Sequence, residues 1–189
     1  MLEKKRTRSR EEAIVQLVNV FRQYGYEGTT LARLSAATGL GKASLYHHFP
    51  KGKEEMAAAV LQHINAWCED NIIASLRSPC EPIDRLRQMS QKVDQLYEHG
   101  HQPCLFAVLS LGDSHDLFHA QIRGAINVWI DTIMQVLVAT GIEPEQARHR
   151  AEDAILQIQG ALVLARGLND TAPFKRVLQR LPEELLRDT

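Results

Sequence analysis

Residues 29–55 read TTLARLSAATGLGKASLYHHFPKGKEE, and this stretch decides the fold. Its apolar residues recur at helical spacing and predict two short helices. The first helix is expected to end at Gly39, while the second begins near Gly41 and ends before Pro50. Two short helices joined by a glycine-containing turn are the layout of a helix-turn-helix domain.

A third short helix is predicted immediately upstream. Ser9 can cap its first turn, where Glu11 and Glu12 are favourably placed against the helix dipole. Its apolar stripe continues at helical spacing to Phe21, and Gly25 is expected to end it. The three helices together predict a helix-turn-helix domain at residues 1–52.

The rest of the chain also has helical patterning, without convincing strand alternation. Proline fits the first turn of four expected helices, because the N–H group that it lacks would have no partner there. The expected helices cover residues 53–77, 82–99, 103–111, 114–139, 144–168 and 173–181, with Pro182 beginning a final short turn. We therefore expect an all-α protein of about nine helices, with a larger helical domain at residues 53–189.

The net charge of −1 hides an uneven distribution. Residues 1–53 hold ten basic and four acidic residues, a formal charge of +6, so the remainder carries −7. A basic segment joined to an acidic one points to a polyanion as the partner of the basic end. The basic run at residues 4–10 could be an arm that binds DNA or a solvated tail, but Lys42, Lys51 and Lys53 lie within patterned sequence.

Composition narrows the class of protein. Apolar residues make up 44% of the chain and charged residues 24%, the balance of a soluble globular protein. No apolar stretch approaches the roughly 20 residues that a membrane span needs, and we expect no signal peptide. Three widely spaced cysteines argue against a disulfide framework. We expect a cytoplasmic protein with no membrane partner.

The second helix of the motif is suited to a DNA major groove. It is expected to expose Lys42, Ala43, Ser44 and His47, with Tyr46 beside them. Small and polar side chains at the start of a helix can read base edges and bond phosphates. The sequence therefore predicts that this helix recognises DNA.

Two further candidate contacts lie at helix N-termini. Thr30 and Lys53 begin other helices, where backbone N–H groups and the helix dipole favour a phosphate. Arg33 is either a further phosphate contact or a solvated surface charge. Tyr46 and His48 have a competing role, since either can pack beneath the recognition helix.

This stretch resembles the DNA-binding domain of TetR/AcrR-family transcriptional repressors. The resemblance rests on the Thr pair, the Gly39 turn, the Leu-Tyr-His-His-Phe run and the Lys-Glu-Glu that follows. The Pro50-Lys51-Gly52-Lys53 form looks like the LmrA/YxaF-type branch. Two positions depart from the family pattern, because Thr38 stands where Ala is usual and Met56 where the closing Leu is usual.

The resemblance implies a sequence-specific repressor that is not an enzyme and needs no cofactor. It further implies a homodimer that binds a palindromic operator and is released by a small hydrophobic ligand. Its motif assigns DNA contacts to Thr30, Lys42, Ser44, Tyr46, His47 and Lys53.

The expected helix at residues 144–168 carries two apolar stripes. One is mainly alanine, which lets another helix approach closely, and the other contains Ile155 and Leu162. One stripe can face the chain's own core while the other faces a partner subunit, although both could face the core. We predict the dimer interface at Ala147, Ala151, Ala154, Ile158, Ala161, Ala165, Phe174 and Leu178.

The larger helical domain is expected to hold the small-molecule pocket. Aromatic, sulfur-containing and aliphatic residues at helical spacing could line such a pocket or simply pack as core. The candidates are Trp67, Cys68, Met89, Val93, Cys104, Phe106, Leu109, Trp129 and Ile133.

Two alternatives concern how such a regulator is switched. His115 and His119 are four residues apart on one helix face, the spacing of two ligands of one Zn²⁺, or they are two surface histidines. Cys104 or Cys68 could act as a thiol sensor, or be buried and inert. We predict no metal site, because no third ligand is fixed by the sequence.

Overall fold

The computed structural model describes residues 9–112 and 114–187, and all regular secondary structure in these ranges is helical. Counting the short helical continuations of α4 with α4 itself, these residues form nine α-helices and no strand, which confirms the expected all-α fold. The helices are α1 (Arg10–Gly28), α2 (Leu31–Thr38), α3 (Lys42–His48), α4 (Lys53–Cys68), α5 (Pro82–Leu96), α6 (Leu105–Leu109), α7 (Ser114–Val138), α8 (Pro144–Leu168) and α9 (Ala172–Leu186). No helix in the described ranges is long and apolar enough to cross a membrane.

Local chemistry fixes the ends of the helices in the motif. Ser9 and Glu12 form a capping box at the start of α1, each side chain bonded to the other residue's backbone N–H. The threonine that caps α2 is Thr30, and Gly39 ends α2 in the left-handed conformation. Gly25 bends α1 rather than ending it, since the helix resumes as far as Gly28.

The long helix predicted at residues 53–77 is present, because α4 continues through a π-helical segment, Glu69–Ile73, and a last α-helical turn, Ala74–Leu76. The predicted ends of two other helices differ from the structure. α5 ends at Leu96 instead of residue 99, because Glu98 and His99 adopt positive φ. α9 runs through Pro182 to Leu186, so Pro182 does not begin a separate turn. The buried face of α9 continues beyond the proline, and that packing outweighs one lost hydrogen bond.

The chain divides into two compact units, which differ from the sequence-based domains because α4 and α7 contribute to both. Unit 1 draws on Met1–Ile64 and Leu105–His119, and unit 2 on Asn65–Cys104 and Ala120–Thr189. The functional boundary predicted at residue 52 stays a prediction.

The core of unit 1 is formed by the apolar stripes of its short helices. Leu17 and Phe21 of α1 are fully buried, as are Leu45 of α3 and Phe49 after it. α2 and α6 both pack against α1. The apolar residues of the motif therefore hold α2 and α3 in a fixed arrangement on α1.

In unit 2, α9 packs against both α5 and α8. The side of α8 that meets this core consists mainly of alanine, which allows a short separation between helices. Phe174 and Leu178 of α9 are buried, and Phe174 lies edge-on to Tyr97 with ring centroids 6.0 Å apart.

Candidate nucleic-acid interface

The two sides of α3 differ sharply in exposure. Leu45 is fully buried in the core, and so is Phe49, which ends the helix. The other side is open, and we call it the recognition face. It consists of exposed Lys42, Ala43, Tyr46 and His47 and half-buried Ser44. All five are residues that the sequence predicted as DNA contacts.

Arg10 anchors α3 from the start of α1. Its Nε donates to the backbone oxygen of His48 at 3.3 Å, and its guanidinium lies 4.9 Å from the centre of the Phe49 ring. The same guanidinium lies 3.9 Å from a carboxylate oxygen of Glu55 in α4. One arginine therefore joins α1, the end of α3 and α4, a role that sequence reasoning missed because two of its partners are a backbone carbonyl and a ring.

The N-terminus of α2 is capped by a predicted contact residue. The Thr30 hydroxyl accepts a hydrogen bond from the backbone N–H of Arg33 at 3.3 Å, and Thr30 itself is exposed. The hydroxyl is therefore occupied in capping α2, although its exposure leaves room for a phosphate beside it.

Arg33 is held by the end of α1. Its guanidinium lies 4.0 Å from the centre of the Tyr24 ring and donates to the backbone oxygen of Gly28. The Arg33 guanidinium is therefore in contact with the protein and is not surrounded by solvent alone. A phosphate contact by Arg33 remains a prediction, and it would share the guanidinium with these two partners.

Lys53 begins α4, as predicted, and its ammonium group also has partners inside unit 1. Nζ donates to the backbone oxygen of Tyr26 at 3.0 Å and lies 4.2 Å from the centre of the Tyr26 ring. Burial raises the pKa of the Tyr26 hydroxyl, and the nearby Glu54 and Glu27 carboxylates raise it further. Lys53 is thus part of the scaffold, and its contact with DNA stays a prediction.

Tyr46 lies against the turn that precedes α4. Gly52 has φ +71°, and a Cβ there would come 3.3 Å from Cε1 of Tyr46. Glycine therefore serves both the left-handed backbone and the close approach of the ring. Tyr46 keeps 43% of its surface exposed, so it supports the turn and remains available to a partner. His48 is half-buried, which fits the packing role foreseen for it.

The basic run is only partly described. Arg10, its last residue, belongs to the anchor of α3, whereas Lys4, Lys5, Arg6 and Arg8 lie outside the described residues. The arm predicted from that run is therefore untested.

The candidate pocket residues fall in both compact units. Phe106 and Leu109 belong to unit 1, and the others belong to unit 2. Met89, Val93 and Ile133 are fully buried, as expected of residues that pack as core. Their role in binding a ligand stays a prediction.

Polar groups lie buried in unit 2 that the sequence did not single out. The Tyr97 hydroxyl accepts a hydrogen bond from Nε2 of Gln159 at 3.4 Å. Burial raises the pKa of Tyr97 well above its ordinary value, and the Cys104 thiol, hydrogen-bonded to the hydroxyl, adds to the effect. Nε1 of Trp129 is buried and has no hydrogen-bond partner within the described ranges. A tyrosine that follows an apolar stripe gives no sequence signal that distinguishes such a group from ordinary core.

The structure corrects the residues predicted for the dimer interface. The alanine-rich stripe of α8 is at most 4% exposed within a single chain, and Phe174 and Leu178 are also buried. A side chain without exposed surface offers no contact area to a second subunit. The stripe instead meets the chain's own core, and the same holds for Phe174 and Leu178 of α9.

The opposite side of α8 is apolar and exposed, and we call it the open face. Leu156 is 67% exposed and Val163 71%, while Leu164 and Leu168 are 54% and 63% exposed. Gly160 and Gly167 lie on the same side, and a Cβ added at either would meet nothing within 4 Å. The open face consists of Leu156, Gly160, Val163, Leu164, Gly167 and Leu168.

The structure places the histidines and cysteines that were named for the two switching alternatives. The rings of His115 and His119 lie 4.8 Å apart, and Nδ1 of His115 is 3.1 Å from a carboxylate oxygen of Asp116. Across residues 9–112 and 114–187 no group of three or more metal-ligating residues comes together. Cys104 is buried and Cys68 half-buried, and neither forms a disulfide bond within the described residues.

Comparison with known proteins adds two family matches. Residues 14–60 match the model described as bacterial regulatory proteins of the tetR family. Residues 82–180, more than half of the chain, match the C-terminal domain of LmrA/YxaF-like transcriptional regulators.

Individual relatives agree over nearly the full length. The HTH-type transcriptional regulator LmrA of Bacillus subtilis is 23% identical over 95% of this chain and 97% of its own, and YxaF of the same organism is 23% identical over 92% and 93%. A TetR transcriptional regulator of Legionella pneumophila has a similar structure, with a TM-score of 0.80, 19% identity, and 94% and 97% of the two chains covered. One from Chloroflexus aurantiacus has a TM-score of 0.78, 24% identity, and 100% and 98% covered. At these identities the structural likeness concerns the fold alone.

Proposed function

This chain belongs to the TetR family of bacterial transcriptional regulators, in its LmrA/YxaF-like branch, and on that premise we propose that it represses transcription as a homodimer on a palindromic operator and is released by a small hydrophobic ligand. As a member of that family it is a DNA-binding regulator and not an enzyme.

The recognition face of α3 carries the proposal for DNA contact. Lys42, Ser44 and His47 supply a charge and hydrogen-bonding groups on a helix whose other side is locked into the core. Arg10 fixes the far end of that helix. A helix held in this way can enter a major groove with its base-reading side chains already positioned, which reduces the entropy lost on binding.

Thr30 and Lys53 are proposed to bond phosphates on either side of α3. Each lies at the N-terminus of a helix, where the dipole favours an anion. Contacts of this kind place the protein on the duplex without reading its sequence. Arg33 and Ala43 complete the proposed contact set, the first toward phosphate and the second toward base edges.

A second copy of this chain is the proposed occupant of the open face of α8. Exposed leucines and valine on one side of a helix favour burial against another apolar surface. Glycine inside a helix costs about 1 kcal/mol relative to alanine, and neither Gly160 nor Gly167 has a neighbour among the described residues that would require it. A partner helix that approaches closely along this face would explain both features, as interfaces between two copies are self-complementary.

A dimer also explains how one short helix obtains specificity. Two recognition helices read successive major grooves when they are about 34–36 Å apart, so the operator mirrors the twofold symmetry of the protein. A ligand that binds more tightly to a conformation with another spacing must weaken DNA binding by linkage. The predicted ligand-pocket residues remain the proposed place for it.

The test uses the DNA upstream of the chain's own gene, labelled for fluorescence anisotropy at fixed salt. We expect the wild-type protein to bind this DNA as a dimer. We expect Lys42→Glu to weaken binding about 100-fold or more, because the charge proposed to face a phosphate is reversed. Arg176→Glu makes the same charge change at an exposed position of α9 and should leave affinity within about twofold. Wild-type affinity in the Lys42→Glu variant would refute the contact assignment.

A further inference from the structure

A cleft in unit 2 lies between α5 and α9, apart from every residue predicted to hold the inducer. Its volume is about 400 Å³, within the range of sites for small molecules. Residues of α5 form one wall and residues of α9 the other, and both helices belong to the same compact unit. The residues that carry the argument are Arg87, Ser90, Asp94, Lys175, Leu178 and Glu183.

The two carboxylates of the cleft already have partners. Glu183 accepts from Nε and Nη2 of Arg87, at 3.2 and 2.9 Å. Asp94 lies 2.5 Å from Nδ1 of His99. Arg87 therefore compensates the charge of Glu183, and the Asp94 carboxylate is already in contact with a ring nitrogen of His99.

Two donors in the lining have no such partner. The Ser90 residue is 5% exposed, and its Oγ is buried without a hydrogen-bond partner within the described ranges. A serine inside a helix commonly bonds the carbonyl four residues earlier, so a buried unbonded hydroxyl is costly unless something else binds it. Lys175 is exposed and lines the cleft from α9, and its ammonium group has neither an ion pair nor a hydrogen bond among the residues that the structure describes.

The floor between these donors is apolar. Leu178 is 6% exposed, and Pro182, one turn later, is also buried. A ligand held here would place an apolar body on this floor and an acceptor group against the hydroxyl and the ammonium. A carboxylate suits both donors, because hydrogen bonds to a charged acceptor are stronger than those to a neutral one.

We propose that the cleft between α5 and α9 is a second small-molecule site, which binds a monocarboxylate with a short apolar body through Ser90 and Lys175. This site goes beyond the proposed function, since it uses none of the residues predicted for the inducer or for DNA. It does not require that the protein bind an operator.

The experiment titrates the full-length protein with sodium benzoate and sodium hexanoate, followed by amide chemical shifts and calorimetry. Benzamide and hexanamide have the same apolar bodies without the charge and serve as matched ligands. We expect saturable millimolar binding of the carboxylates, with the largest shifts at residues of α5 and α9, and at least tenfold weaker binding of the amides.

Variants assign that binding to the two donors. Lys175→Gln should weaken benzoate binding about tenfold, Ser90→Ala about fivefold, and Lys175→Arg less than threefold. Arg176→Gln removes a positive charge from the adjacent position on α9, which does not line the cleft, and should change binding less than twofold. All four variants should keep wild-type operator affinity, so failure here is distinguishable from failure of the repressor proposal.

Three results would overturn the site. The first is the absence of a saturable shift with either carboxylate at 50 mM ligand, which is about the upper limit for a weak specific site. The second is equal binding of the carboxylates and the matching amides. The third is unchanged benzoate affinity in the Lys175→Gln variant. Shifts confined to residues away from α5 and α9 would overturn it as well, because the ligand would then occupy another place.

Discussion

The ammonium group of Lys53 donates a hydrogen bond of 3.0 Å to the backbone oxygen of Tyr26 and lies over the ring of the same residue. Tyr26 stands near the end of α1, and Lys53 begins α4. The helices on either side of α2 and α3 are thus joined directly. A residue proposed to bond phosphate therefore also holds together the scaffold that presents the recognition face.

Lys53→Met should lower the free energy of unfolding by about 1 kcal/mol, because it removes both the hydrogen bond and the cation–π contact. Lys53→Arg can keep both contacts and should lie within about 0.5 kcal/mol of wild type. Urea denaturation followed by circular dichroism measures the difference. Equal stability of the Met variant and wild type would mean that the Tyr26 contact does not support the fold.

The same two variants separate the DNA role from the structural one. If Lys53 bonds a phosphate, Lys53→Met should reduce the slope of log affinity against log salt by about 1 for each subunit. Lys53→Arg should keep the wild-type slope. An unchanged slope with reduced stability would assign Lys53 to the scaffold alone.

Thr30→Ala should cost about 1 kcal/mol of stability, since the hydroxyl caps α2 by accepting from the N–H of Arg33. Thr30→Ser keeps the capping oxygen and serves as the matched control. Urea melts at neutral pH test the pair. The assignment of Thr30 as a structural cap fails if the Ala and Ser variants are equally stable.

Much of this arrangement was predictable, because its causes are local in sequence. The Ser9 cap, the Gly39 turn and the alternation of buried and exposed residues in α3 follow from residue type and spacing. The partners of Arg10, Arg33 and Lys53 did not follow. Each binds a backbone carbonyl or an aromatic ring, and residue type does not reveal which carbonyl folding will bring near.

The proposed interface on α8 could not be predicted from the periodicity of the sequence. Periodicity found apolar residues on more than one side of that helix, but it could not tell which side α9 would cover. The alanine stripe, predicted as the surface for a partner, instead lets α9 approach closely within the same chain. Only the exposure of Val163 and Leu164 identifies the side that a second copy can meet.

In the proposed homodimer, Val163→Glu should prevent association and give a monomer, because it would bury a charge at the centre of the open face. Leu117→Glu makes the same kind of change at an exposed apolar residue of α7, outside that face, and should leave the dimer intact. Light scattering coupled to size-exclusion chromatography gives the mass. If the Val163→Glu variant remains a dimer at low micromolar concentration, the interface does not lie on the open face.

Gly112→Ala should destabilise the protein by about 1–3 kcal/mol. Gly112 has φ +60°, and a Cβ there would lie 2.7 Å from Oε1 of Glu27. The same oxygen accepts from the backbone N–H of Ser114 at the start of α7, so it cannot move away without losing that bond. Gly124→Ala, in the middle of α7 where a Cβ meets nothing within 4 Å, should instead be neutral or stabilising. Thermal melts compare the two variants with wild type. Equal changes in melting temperature would contradict the expectation that a side chain at residue 112 strains the turn.

Tyr97 should make the protein sensitive to alkaline pH. Burial raises the pKa of Tyr97 well above its ordinary value, and the neighbouring Cys104 thiol contributes to the increase. The folded state therefore keeps a proton that the unfolded chain releases above about pH 10. The free energy of unfolding should be unaffected by this group below pH 10 and should then fall by up to about 1.4 kcal/mol per pH unit. Tyr97→Phe lacks the group and loses the bond from Gln159, so it should be about 1 kcal/mol less stable at pH 8 and gain on wild type as the pH rises. Urea melts between pH 8 and 11 measure the difference in free energy of unfolding between wild type and Tyr97→Phe, with Tyr46→Phe as the exposed control. A difference that stays constant across that range would show that the Tyr97 hydroxyl ionises as readily in the folded state as in the unfolded chain.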